Sequence, residues 1–317
     1  MVRMIFSRLF LAASLVLLLA ACGRTEAPAT APATQTASAP DTIPAGPRIV
    51  STVPAATLNL VLIGAVDTLV GISTYDQPFL PDDKQNLPIV GDYFHLSYET
   101  LVALHPTAII IQDAEPRIPT RLRELATQHH FDIVNIKIDT MEDIWGAVKT
   151  LGKVSNHDAG AAAGITEARE ELKLLSIAME NRPHPKVLYV LERSPMSVAG
   201  SGSFMGEIIE LAGGENVGAK VPGLYPAISN ETLVKLAPDV LLISAPSQMP
   251  QHDNDDRLEP FAHLPIPAAW NNRIFLVTDG DAMVASLKLP RQVQELAAMI
   301  HKGESSTATS PAGGGHP

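Results

Sequence analysis

The chain has 317 residues, 46% of them hydrophobic, with 23 Lys plus Arg against 34 Asp plus Glu and a single Cys. That length allows two domains or one bilobed body, at ~100–200 residues per domain. A net charge of −11 argues against the basic face that nucleic-acid binding needs, and one Cys excludes an internal disulfide and any multi-thiolate zinc or iron–sulfur site.

In chain order, the first element is an export signal. Arg3 and Arg8 precede residues 9–21, which are apolar except for Ser14. The run is too short for the ~20 residues of a spanning helix and fits a secretory h-region. It ends Leu19-Ala20-Ala21-Cys22-Gly23, similar to a bacterial lipobox, so residues 1–21 read as a lipoprotein signal peptide and Cys22 as the lipidated first residue. Diacyl anchoring would hold the protein on a membrane. No other stretch is long and apolar enough to span a bilayer. Residues 23–46 contain 7 Ala, 5 Thr and 4 Pro without apolar periodicity, so 22–46 is expected to be a disordered tether. Residues 304–317 form a similar tail.

The body between them alternates short apolar strands with helices. Strands are expected at 48–51, 69–72, 88–90, 108–111 and 133–136, with helices beginning at Pro54, covering 101–104 and covering 121–129. The same alternation restarts at 187–190 and continues through 240–243 and 274–277 to a helix over 290–301. Such alternation means parallel sheets, hence two Rossmann-like α/β lobes, over 47–154 and 184–303. Between them, Ile165, Ala168, Leu172, Leu175 and Met179 recur at helical spacing among charged residues. This predicts one long amphipathic linking helix within 155–183, capped by Asn156 or Asp158 and stopped by Pro183 and Pro185.

Residues 97–111 and 229–243 match at eight of fifteen positions, at a constant offset of 132. Each copy is a Ser-capped helix, a Pro stop and an apolar strand. Glu99 and Glu231 occupy equal places in it, where a carboxylate favours the helix N-terminus. They read either as helix-stabilising charges or as two acidic knobs on one outer face.

The stretches RIVSTVPAATLNLVLIGAVDTLVGIS (48–73), LPIVGDYFHLSYETLVALHPTAIII (87–111), GSGSFMGEIIELAGGENV (200–217) and AISNETLVKLAPDVLLIS (227–244) resemble the extracytoplasmic solute-binding proteins of ABC importers of the helical-backbone type, which carry cobalamin, haem and ferric siderophores. The resemblance implies two α/β lobes on a rigid linking helix, a ligand cleft between the lobes, and binding rather than catalysis. It implies as partners a permease with its ATPase, with Glu99 and Glu231 at the positions that meet permease arginines. The segment from Val90 to His95 looks most like the cobalamin-type members. Haem-type members tend to place Tyr directly after the Gly and an Arg two residues later, where this chain has Asp92 and Phe94.

Ligands of parallel α/β sheets sit beyond the strands' carboxyl ends. A corrin or porphyrin plate needs aromatic and Met walls with a few polar donors. Thr52, Tyr75, Tyr93, Phe94, Met196, Phe204 and Tyr225 are therefore the expected ligand-binding residues. His95 reads as a solvent-facing or hydrogen-bonding residue rather than an axial ligand, and His252-Asp253-Asn254-Asp255-Asp256 as a solvated loop. No protein-held metal or cofactor is expected; cobalt or iron would arrive within the ligand. No phosphate loop or nucleophile elbow is present. The reading is a lipid-anchored, monomeric receptor with a corrinoid favoured. Its alternatives are a haem or ferric-siderophore receptor, an exported enzyme on a doubly wound scaffold, and a structural lipoprotein.

Overall fold

The computed structural model describes residues 46–92, 95–245, 257–281 and 283–303. The N-terminal lobe contains β1 (Ile49–Ser51), α1 (Pro54–Leu62), β2 (Leu69–Ser73), β3 (Ile89–Gly91), α2 (Tyr98–Ala103), β4 (Ala108–Ile111), α3 (Thr120–His129) and β5 (Asp132–Asn135). Its sheet has the order β3-β2-β1-β4-β5, and every pairing is parallel. Helices cover both faces, so β1 and β4 are buried throughout and consist almost wholly of apolar residues.

Two helices follow, α4 (Met141–Ser155) and α5 (Asp158–Met179). The start of α4 is a capping box: Asp143 N–H donates to Thr140 Oγ1 at 3.1 Å, and Thr140 N–H donates to Asp143 Oδ2 at 3.1 Å. Asn156, one of the two expected caps of the linking helix, instead ends α4 in the left-handed conformation at φ 60°. The compact side amide of Asn makes it one of the few non-glycine residues that tolerate this conformation. The linking helix α5 begins at Asp158 and has 22 residues, a rod of about 33 Å.

The C-terminal lobe contains β6 (Lys186–Arg193), β7 (Met196–Val198), α6 (Phe204–Leu211), β8 (Glu215–Asn216), α7 (Asn230–Leu236), β9 (Val240–Ser244), α8 (Glu259–Ala262), α9 (Pro267–Trp270), β10 (Ile274–Val277) and α10 (Leu289–Ile300). Its sheet runs β10-β9-β6-β7, with β8 also paired to β6. The pairings of β10 with β9, β9 with β6 and β8 with β6 are parallel, as expected. β7 pairs antiparallel with β6, because only the two residues Ser194 and Pro195 join them and so short a connection cannot make a parallel crossover.

Alternate strand residues face opposite layers. Val50 and Ile109 enter a core under α2 and α3, while Leu188, Leu241 and Ile243 enter one with Phe261 and Ile266. The main core is continuous through both lobes: Ile49 and Leu60, then Trp145, Ile165 and Leu172 of α4 and α5, then Tyr189, Ile208 and Leu296. The lobes thus share an interior and belong to one compact unit. Closely packed interiors resist shear, which limits lobe motion.

Candidate functional site

The cleft forms where the N-lobe strands end. Thr52 follows β1, and both its N–H (3.1 Å) and its hydroxyl (2.9 Å) donate to Ile110 O. Its donor is therefore turned into the lobe, and it serves as a lining residue. After β2 the chain turns sharply around Asp76, which is fully buried. Ser73 N–H donates to Asp76 Oδ2 at 2.7 Å and Thr57 Oγ1–H donates to Oδ1 at 2.9 Å. Burial pushes the Asp76 carboxyl above its usual range, opposed by the hydrogen bonds from Ser73 and Thr57. The turn presents Tyr75, 44% exposed. After β3, Asp92 N–H donates to His95 O at 3.0 Å and His95 N–H donates to Asp92 Oδ1 at 2.7 Å. Gly91 is required there: its φ is 139°, and a Cβ would lie 1.9 Å from His95 O. The His95 ring is mostly exposed, 3.5 Å from the Asp92 carboxylate.

Two adjoining hollows result. One, of about 160 Å³, is lined by Thr52, Asp92, His95, Tyr98 and Gln112 among others. The other, of about 330 Å³, joins the lobes: Val53, Tyr75, Phe79, Gln112 and Ile138 face Met283, Val284 and Ala285 of the C-lobe. Val53 and Gln112 border both. A groove of about 660 Å³ runs between α4 and α5 under Lys149, Lys153, Arg169 and Lys173. Despite its size, it lies along helix flanks rather than at strand ends, where an α/β sheet converges its loops.

Of the expected ligand-binding residues, Thr52 and Tyr75 line these hollows; Met196, Phe204 and Tyr225 line neither. Met196 packs against the second C-lobe core. Phe204 is only 6% exposed and belongs to the main core. Ser203 caps α6, and Phe204, the first residue of that helix, turns inward with it. Tyr225 is 38% exposed; burial, then the carboxylates of Asp139 and Glu207, push its phenol well above its ordinary value. Tyr93, Phe94, Cys22 and the loop 252–256 lie outside the described residues. Phe79, Tyr98, Ile138 and residues 283–285 escaped the sequence reading. Phe79 and Tyr98, as aromatics close to strand ends, carried the one usable signal. Among the described residues no group of three or more His, Cys, Asp and Glu is placed to hold a metal ion.

Glu99 and Glu231 sit in the first turns of α2 and α7, both exposed. Ser97 and Ser229 cap these helices in the same way, accepting from Thr100 N–H at 3.3 Å and Thr232 N–H at 3.2 Å. Each helix leads through a short connection into a parallel strand, so it runs back against the sheet and its N-terminus lies level with the strands' carboxyl ends. Both glutamates therefore mark the cleft side of their lobes. Glu231 pairs with Lys235 at 2.7 Å; Glu99 has no ion pair among the described residues.

Two α/β lobes sharing a core, linked by one long helix, with a strand-end cleft between them, define a rigid two-lobed binding protein. The periplasmic binding protein family matches residues 49–279, well over half the chain, and the chain belongs to that family. It is 25% identical over 228 residues to a vitamin B12-binding protein of Vibrio parahaemolyticus, covering 72% of this chain and 80% of the relative. It is 28% identical over 204 residues to a cobalamin-binding protein of Halobacterium salinarum, covering 62% and 53%. A periplasmic haem-binding protein of Vibrio cholerae superposes with a TM-score of 0.70 at 25% identity, over 80% of this chain and 99% of that one. The periplasmic vitamin B12-binding protein of the same organism does so at 0.63 and 21% identity, over 80% and 96%, which supports the fold. These relatives bind; they are not enzymes, and this chain is a binding protein that works outside the cytoplasm. Among the described residues no helix is long and apolar enough to cross a membrane.

Proposed function

We propose that this protein captures a plate-like tetrapyrrole, a corrinoid in the first instance, and delivers it to an ABC importer. The observation that carries this is the hollow between the lobes, whose walls are apolar and aromatic: Tyr75, Phe79 and Ile138 from one lobe, Met283 and Val284 from the other. Such walls suit a flat apolar face, and Gln112 offers an edge hydrogen bond. At about 330 Å³ the hollow takes one edge of such a ligand, the rest lying across its mouth. The likeness to vitamin B12-binding and cobalamin-binding proteins supports the corrinoid. The likeness to a haem-binding protein supports haem as the second reading. The cobalt or iron belongs to the ligand.

Delivery uses Glu99 and Glu231, one per lobe, as paired acidic contacts for cationic groups of the permease. Cys22 carries a lipid that keeps the receptor at the membrane; the lipobox-like sequence supports this. The binding experiment is absorbance spectroscopy with gel filtration after incubation with cyanocobalamin, haemin and a ferric siderophore. Co-elution of cyanocobalamin at one per chain is expected. Co-elution of haemin alone shifts the reading to haem, and co-elution of none overturns it. For the anchor, Cys22→Ser should move the protein from the membrane to the soluble fraction, and a tightly membrane-bound mutant of mature size would refute lipidation there.

A further inference from the structure

Asn59 lies on α1 and is 1% exposed. It belongs to the N-lobe, yet it spans to the C-lobe. Its Nδ2 donates to Ala55 O at 2.8 Å within α1 and to Ala285 O at 3.1 Å across the boundary between the lobes. Its Oδ1 accepts from Leu287 N–H at 3.0 Å. Two carbonyls face one end of the amide and an N–H faces the other, so the partners decide which end is nitrogen. Few side chains can do this: a planar amide carries two donor hydrogens and an acceptor on one rigid group. It pairs a buried carbonyl at 285 and a part-buried N–H at 287.

The segment so held is a wall of the site. Residues 283–285 face Tyr75 and Gln112 across the hollow. From its own lobe, the same segment is held by Gln292 of α10, which is 3% exposed. Gln292 Nε2 donates to Asp281 O at 2.6 Å and Val284 O at 2.9 Å. Leu287 packs against the shared core. Apolar packing is non-directional; two directional bonds from one buried amide add a defined register of the wall against α1.

We propose that Asn59 is a positioning residue: a clamp between the lobes that fixes residues 283–287 and so forms the ligand cleft before any ligand arrives. This rests on the reading of the cleft as the ligand site. A preformed wall removes an ordering cost from binding, so losing it should show mainly as faster dissociation.

The test uses the full chain with Asn59→Leu, which keeps the branched shape and removes both polar atoms, and Asn59→Ala, which adds neither bulk nor charge should the first fail to fold. In ligand-free hydrogen exchange, peptides covering 283–289 should exchange roughly tenfold faster or more, while β1 and β9 keep wild-type rates. With cyanocobalamin or haemin, whichever the wild type binds, the dissociation rate should rise on the order of tenfold with little change in association. A merely structural role predicts uniform acceleration across both sheets and unchanged dissociation, and that result overturns the clamp, as does no change at all. If the wild type binds neither probe, the cleft reading fails and with it the role of Asn59 toward ligand; local acceleration at 283–289 would then show a clamp between the lobes without a ligand to serve.

Discussion

Asp76 illustrates how one carboxyl can place another side chain. Its two oxygens gather Ser73 N–H and Thr57 Oγ1 into a closed turn, and the turn leaves Tyr75 outside at the cleft. Because its folded pKa is raised above the unfolded 3.8, chiefly by burial, the native state holds a proton that the unfolded chain has released. This contribution to stability is present at low pH and declines as pH climbs from 3.8 through the folded value. In urea denaturation between about pH 4 and 7, wild type should therefore lose stability relative to Asp76→Asn as pH rises; a constant difference would show that the carboxyl does not titrate in this way. Tyr75 itself is 44% exposed. Tyr75→Ala should leave the melting temperature near wild type and weaken ligand binding roughly tenfold, as expected for a stacking aromatic. Calorimetric titration with unchanged affinity would remove Tyr75 from the site.

At the level of elements, the contact between α1 and the linking helix turns on close backbone approach. A Cβ on Gly160 would lie 2.3 Å from Ile63 O. Neither partner is a flexible side chain, so α5 would have to move away from the end of α1. Gly160→Ala should cost about 1–3 kcal/mol in urea denaturation. Gly146 in α4 is its control: a Cβ there meets nothing within 4 Å, so Gly146→Ala should stabilise by roughly 0.5–1 kcal/mol through helix propensity. Equal effects at the two positions would disprove the close approach. The repeated helix–strand unit is conserved in geometry as well as in sequence, since Ser97 with Thr100 and Ser229 with Thr232 form the same cap. One difference is that Lys235 pairs with Glu231, whereas Ala103 stands at the matching place in α2.

For the molecule as a whole, a shared core means that a ligand signal cannot rest on wide hinge closure, and recognition by a transporter must read features fixed on both lobes. In the docking role proposed above, the two glutamates are those features. Exchanging Glu99 and Glu231 together for Lys should abolish uptake in a reconstituted importer while leaving ligand affinity unchanged, because like-charge contact at a docking face typically costs several kcal/mol. If they only stabilise helix starts, each would contribute ~0.3–1 kcal/mol to stability and nothing to uptake; normal uptake by the double variant would leave that role alone standing.

Much of this architecture is legible without coordinates. Strands such as β1, β4 and β9 are continuous apolar runs because both their faces are covered, and Pro or Gly bounds them. The repeat around Glu99 and Glu231 is visible as text, and so is the periodic apolar face of α5. Strand order then points to Thr52, Tyr75, Asp92 and Gln112 as strand-end positions. Helix α4 is less legible, since Gly146 and Gly152 weaken its helical signal and its Thr140–Asp143 box is short. What only the tertiary structure decided is which side chains the loops turn inward and what stands opposite the strand ends. Phe204 follows its helix into the core, and residues 283–285 become a wall because Asn59, more than 220 positions earlier in the chain, binds their neighbourhood. Local pattern reflects local burial, whereas a cleft between lobes is made by contacts between segments far apart in sequence, whose pairing no local periodicity records.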